Sequence, residues 1–179
     1  LEEVGFARFT MEGIAAKAGV SKATLYRWWP GKGAVAMEAF MAATTPKINF
    51  PHTQSAVADV TAQMLALAEA YRGVTGRLIR ELIGLGQSDP EALRSFSEGY
   101  LIPRRAATKD VLRRGIASGE LRPDVDLETL VDALYAPIFH RLLLQHFPLD
   151  AEFIRQIAAL AFSSVTLPGN GAASGNPAK

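Results

Sequence analysis

Thr10-Met11-Glu12-Gly13-Ile14-Ala15-Ala16-Lys17-Ala18-Gly19-Val20-Ser21-Lys22-Ala23-Thr24-Leu25-Tyr26-Arg27-Trp28-Trp29-Pro30-Gly31-Lys32 reads as two short helices around a fixed turn. Thr10 is a good helix cap, and Glu12 puts negative charge in the first turn, where the helix dipole favours it. Met11, Ile14, Ala15 and Ala18 recur at the spacing of one helical face and are expected inside. The small Ala15 permits a second helix to cross closely. Gly19 supplies the positive φ that ends the first helix, and Val20 is expected to turn back into the core. Ser21 caps the second helix, whose buried side is Leu25 with Trp29.

The opposite side of that second helix carries Lys22, Ala23, Thr24, Tyr26, Arg27 and Trp28, with Lys32 just beyond Pro30-Gly31. Lys and Arg reach guanine acceptors in the major groove, Ala touches a thymine methyl, and hydroxyl or indole groups donate to phosphates. The small Ala15, the turn at Gly19 and the buried Leu25, at offsets of four and six, fit a helix-turn-helix.

These residues, with Gly5 and Phe6 before them, resemble the DNA-binding domain of TetR-family transcriptional repressors over roughly the first 45 residues. The resemblance implies phosphate-positioning roles for Thr10, Thr24, Tyr26, Trp28 and Lys32, and base-edge roles for Lys22, Ala23 and Arg27, with Ser21 at the head of the helix. Trp28 departs from the His or Tyr usual there, and Gly33 departs from an acidic or larger residue. Leu1 to Gly5 resembles only the last turn of the family's first helix, so a preceding segment is expected to be missing.

The 179 residues are 49% hydrophobic and can bury a substantial core. Cysteine is absent, which removes disulfides, thiolate metal sites and thiol nucleophiles. No signal-peptide pattern or membrane-length apolar run is present, and a cytoplasmic location is expected. The formal net charge is only +1, but residues 1–35 hold Arg8, Lys17, Lys22, Arg27 and Lys32 against Glu2, Glu3 and Glu12. The positive excess therefore sits where DNA would be read.

The expected fold is all-α: a three-helix helix-turn-helix domain over residues 1–45, then a helical bundle for effector binding and dimerisation over 46–166. Residues 167–179, rich in Gly, Ala, Asn, Ser and Pro, are expected to be disordered. Helices are expected near 32–43 and 54–71, and another after the Gly73 and Gly76 interruption. Asp89-Pro90-Glu91 starts the next, which Pro103 should kink or divide. The next helix is apolar on two sides, Leu130, Leu134 and Ile138 marking one and Ala133, Ala136, His140 and Leu144 the other. A final helix, capped by Asp150, carries Ile154, Ile157, Ala158 and Ala161.

The second row of the one and these residues of the other are expected to pair with a second copy in a four-helix dimer interface. The resemblance implies the same homodimer, a palindromic double-stranded operator and a small-molecule effector in the bundle. Met64, Leu67, Tyr71, Ile79, Ile83, Phe96, Tyr100 and Phe139 are its candidate contacts, and their character points to an apolar or aromatic compound. Arg104-Arg105 and Arg113-Arg114 read as solvated helix faces. No phosphate loop, nucleophile elbow or metal cluster is evident, and His52, His140 and His146 are scattered, so no catalysis, metal or cofactor is expected. The competing reading is a ligand-binding or enzymatic helical bundle without specific DNA binding.

Overall fold

In the chain's computed structural model, residues 9–44 and 48–167 are described. The expected remnant of an earlier helix at residues 1–5, the 45/46 domain junction and residues 168–179 of the expected tail lie outside them. The helices are α1 (Met11–Ala18), α2 (Lys22–Trp28), α3 (Lys32–Thr44), α4 (Ala56–Ala70), α5 (Val74–Gly86), α6 (Pro90–Phe96), α7 (Ile102–Ala117), α8 (Leu127–Leu144) and α9 (Ala151–Ser163). Among the described residues there is no sheet, only an isolated bridge between Leu121 and Thr166.

Local hydrogen-bond chemistry sets most helix starts. The side chains of Thr10, Ser21, Ser55, Asp89, Asp126 and Asp150 each accept from backbone N–H groups in the first turn that follows. Gly19 closes α1 at φ 66°, the left-handed geometry that a Cβ resists. Gly76 does not interrupt a helix. It lies inside α5, where a Cβ would stand 1.9 Å from the Tyr71 carbonyl oxygen and 3.2 Å from Leu142. Glycine there lets α5 start tightly against the end of α4.

Pro103 divides its helix in an unexpected way. Ser97–Leu101 forms a π-helical turn between α6 and α7, so the rod is continuous but one turn is widened. Proline's ring crowds the carbonyl four residues back and donates no hydrogen bond, and a π turn before it accommodates both defects.

Two hydrophobic clusters result. Met11, Ala15 and Leu25 form a small one, with Ile14, Trp29 and Val35 packed on it. The larger runs from Ala36, Met37 and Phe40 through the bundle to Phe162. α3 therefore contributes to both, Val35 to the first and Phe40 to the second, and it packs on α5 and α6. Two expectations need correction in the small cluster: Ala18 and Val20 are exposed. Ala18 is the last residue before the left-handed turn at Gly19, and Val20 sits at the apex of that turn.

Candidate functional site

α2 presents its chemistry outward because Leu25 anchors its inner side. Thr10, Ser21, Lys22, Ala23, Thr24, Tyr26, Arg27 and Trp28 are all exposed, and Lys32 is half-buried at the first position of α3. Trp28 is 71% exposed, with its indole on the same outer side as Tyr26 and Arg27 rather than in the small cluster. Its neighbour Trp29 turns inward, and its indole N–H donates to Glu38 at 2.6 Å, tying the end of α2 to α3.

Lys22 forms an ion pair with Glu12 and lies 5.9 Å from the centre of the Tyr26 ring. The hydrogen bond with Glu12 raises the Lys22 pKa above its ordinary value and lowers that of Glu12, so both stay charged near neutrality. DNA approaching Lys22 must compete with an internal carboxylate.

A cavity of about 410 Å³ opens among α4, the π turn, α7 and α8. Leu67, Tyr71, Tyr100 and Phe139 line it, as expected. Met64, Ile79, Ile83 and Phe96 do not: Met64 and Ile79 are completely buried, and all four pack in the core instead. The lining also includes Gln63, Leu101, Arg104, Arg105, Thr108, Val131, Asp132 and Tyr135, with Ala136, His140 and Leu143 from the outer part of α8.

The polar groups inside are mostly paired with one another. The Tyr71 and Tyr100 hydroxyls lie 3.0 Å apart, and the Tyr135 hydroxyl donates to Gln63 Oε1 at 2.5 Å. The Thr108 hydroxyl, which donates to the Arg104 carbonyl, is 3.4 Å from Tyr135. Burial raises the pKa of all three phenols, Tyr71 well above its ordinary value and Tyr135 to about 12. They stay neutral at physiological pH and act only as hydrogen-bonding groups.

The paired arginines of α7 are more than a solvated face. Arg105 pairs with Glu128 and Asp132, and Arg114 reaches the fully buried Asp59 at 2.7 Å. Arg104 lines the cavity and donates to the Ile48 carbonyl. Arg113, exposed and paired with Asp110 one turn earlier, fits the solvated reading.

The outer rows of α8 and α9 divide the interface candidates. Ala133, Ala136, His140 and Leu144 are exposed, and Leu144 is 63% so. Ile154, Ile157 and Ala158 are buried within this chain and are withdrawn as interface residues, while Ala161 is half-buried. The face of α9 that packs on α4 and α8 holds them. Its outer face carries instead Gln156, Ala159 and Leu160, the last 78% exposed.

A helix-turn-helix with a cationic and aromatic outer face, joined by a shared helix to a bundle with a partly open cavity, defines a DNA-binding regulator with a ligand-binding domain. Residues 1–39 match the family described as bacterial regulatory proteins, tetR family, and residues 50–161 match the tetracyclin repressor-like C-terminal domain. The chain belongs to this family and is a helix-turn-helix transcriptional regulator with a C-terminal ligand-binding domain.

The HTH-type transcriptional regulator YdeS of Bacillus subtilis (strain 168) is 38% identical over 165 residues, covering 92% of this chain and 83% of that protein. The DNA-binding transcriptional repressor TetR of Mycobacteroides abscessus is 28% identical over 168 residues, covering 92% and 87%. Among solved structures, the TetR family transcription regulator SCO0332 superposes with a TM-score of 0.83 at 37% identity, covering 93% of this chain and 92% of that one.

Proposed function

We propose that two copies of this chain form a cytoplasmic repressor that binds one palindromic operator and is controlled by a small molecule in the α4–α7–α8 cavity. The observation that carries the reading is the double membership of α3. Its Val35 belongs to the cluster that holds α2, and its Phe40 packs edge-on against Tyr100 with ring centres 4.9 Å apart. Tyr100 in turn lines the cavity and hydrogen-bonds Tyr71. A ligand that displaces this tyrosine pair thus pushes on the helix that carries the DNA reader.

In this reading residues 1–45 are the DNA-binding unit and 46–166 the effector and dimer unit. Arg27, Lys22 and Ala23 face base edges, while Thr10, Thr24, Tyr26, Trp28 and Lys32 position phosphates, with Ser21 fixing the start of α2. The partner copy covers Ala133, Ala136, His140, Leu144 and Leu160. Dimerisation sets the two α2 helices about 34 Å apart, one turn of DNA, and an effector acts by its differential affinity for that spacing.

Footprinting on the DNA flanking the chain's own gene tests this. Two protected half-sites with centres about 10 base pairs apart, or a multiple of it, are expected. Protection of a single half-site, or none at moderate salt, would count against the dimeric reader.

A further inference from the structure

The cavity contains a cation for which the described residues supply no acidic partner. Four other basic residues of α7 have carboxylate partners: Arg105 with Glu128 and Asp132, Lys109 with Glu128, Arg113 with Asp110, and Arg114 with Asp59. Among the described residues no carboxylate pairs with Arg104, which is half-buried, donates to the Ile48 carbonyl and lies 6.0 Å from the centre of the Phe50 ring. Its positive charge is felt by the phenols of Tyr71, Tyr100 and Tyr135, whose ionisation it favours against the larger opposing effect of burial.

Arg104 shares the cavity lining with Leu67, Val131 and Phe139; a half-buried guanidinium is costly unless an anion meets it, and its planar fork matches a carboxylate. A second unused donor stands nearby. Gln63 is 2% exposed and lines the cavity; its amide oxygen accepts from Tyr135, while its amide nitrogen has no partner among the described residues. A purely apolar ligand would give Arg104 no countercharge and the Gln63 amide nitrogen no acceptor.

We propose that the effector is an amphipathic organic acid, its apolar or aromatic body against Leu67, Val131 and Phe139 and its carboxylate on Arg104, with the Gln63 amide and the one uncommitted hydroxyl proton of the Tyr71–Tyr100 pair as neutral donors. This rests on the reading of the cavity as the effector site and adds a carboxylate to the apolar or aromatic compound expected from the sequence. The carboxylate competes with the Ile48 carbonyl for the same guanidinium. Ile48 lies between α3 and α4, so engaging the ligand loosens a tie close to the DNA-reading unit.

The test is calorimetric titration of the full chain with matched probes: 2-naphthoate against 2-naphthamide, and decanoate against decanamide. Each acid is expected to bind at least about tenfold tighter than its amide. In Arg104→Met the acids should fall to within about threefold of the amides, with amide affinity held within about threefold of the parent's and a melting temperature lowered by the lost Ile48 tie, while Arg104→Lys keeps part of the preference. The proposal is overturned if the amides bind as tightly as the acids, or if the preference survives in Arg104→Met. It is equally overturned if neither acid binds at about 1 mM. Operator binding without acid selectivity would remove this inference and leave the regulator reading standing; acid selectivity without operator binding would do the reverse.

Discussion

Deleting one hydroxyl of the Tyr71–Tyr100 pair should cost more than deleting both. Both rings are nearly inaccessible, 3% and 4% exposed, and the hydroxyls, 3.0 Å apart, have no other partner among the described residues. Phenylalanine keeps the packing of Tyr71 on Phe139 and of Tyr100 on Phe40 and Phe96, so Tyr→Phe perturbs the hydrogen bond alone. Tyr71→Phe leaves the Tyr100 hydroxyl buried and unsatisfied, at a cost of about 1–3 kcal/mol, and Tyr100→Phe does the same to Tyr71. At about 2–4 °C per kcal/mol for a chain of this length, each single variant should melt about 2–12 °C lower. The double variant leaves no orphan and should return to within about 1 kcal/mol of the parent. Differential scanning calorimetry at one fixed protomer concentration measures all four species, since dimerisation makes the melting temperature concentration-dependent. If the double variant loses the sum of the two singles, the hydroxyls are independently solvated and the mutual-pair description of the cavity wall is wrong.

Three further outcomes are expected. Lys32→Ala should weaken all DNA sites alike and reduce the salt slope by about 1, while Arg27→Ala relaxes preference at one base pair per half-site by about 1–3 kcal/mol; equal losses on operator and random DNA for Arg27→Ala would remove its base-edge role. Burial pushes the Asp59 pKa up, but the hydrogen bonds from Thr53 and Arg114 outweigh it and hold the carboxyl below its ordinary value of 3.8. That stabilisation is complete above the unfolded value and lost as pH falls through the folded one, so circular dichroism below about pH 4 should show less acid sensitivity in Asp59→Asn, from a lower starting stability. Leu160→Arg should leave the fold intact, because the side chain is 78% exposed, yet shift sedimentation at micromolar concentration from dimer to monomer. An unchanged dimer would put the interface elsewhere.

The caps at Thr10, Ser21, Asp89 and Asp150 and the turn at Gly19 were legible because each depends on chemistry within a few residues. What depends on neighbours distant in sequence was not. α9 is apolar on more than one side, and only its packing on α4 and α8 decides that Ile154 and Ala158 go in while Leu160 stays out. Gly76 read as a breaker because the close packing that requires glycine there, under the end of α4 and against Leu142 of α8, exists only in the folded bundle. The apolar half of the cavity was visible in Leu67, Tyr71, Tyr100 and Phe139, whereas its polar half was missed. A signal was present: Gln63 interrupts the Val60, Met64 and Leu67 face of α4, and Arg104 and Thr108 stand one turn apart on α7. Arg104 and Arg105 look alike as a pair and both reach the cavity, but adjacent helical residues point about 100° apart, so that Arg105 meets Glu128 and Asp132 of α8 while Arg104 donates to the Ile48 carbonyl.

The most direct measurement is the fluorescence anisotropy of the footprinted duplex titrated with the purified chain at one fixed salt concentration, beside its isolated half-site and a scrambled duplex. Two protomers per duplex and an affinity at least about a thousandfold above the scrambled sequence are expected, with most of that advantage lost on the half-site. Equal affinity for all three duplexes would contradict the account, since α2 would then be holding phosphates without reading a paired site.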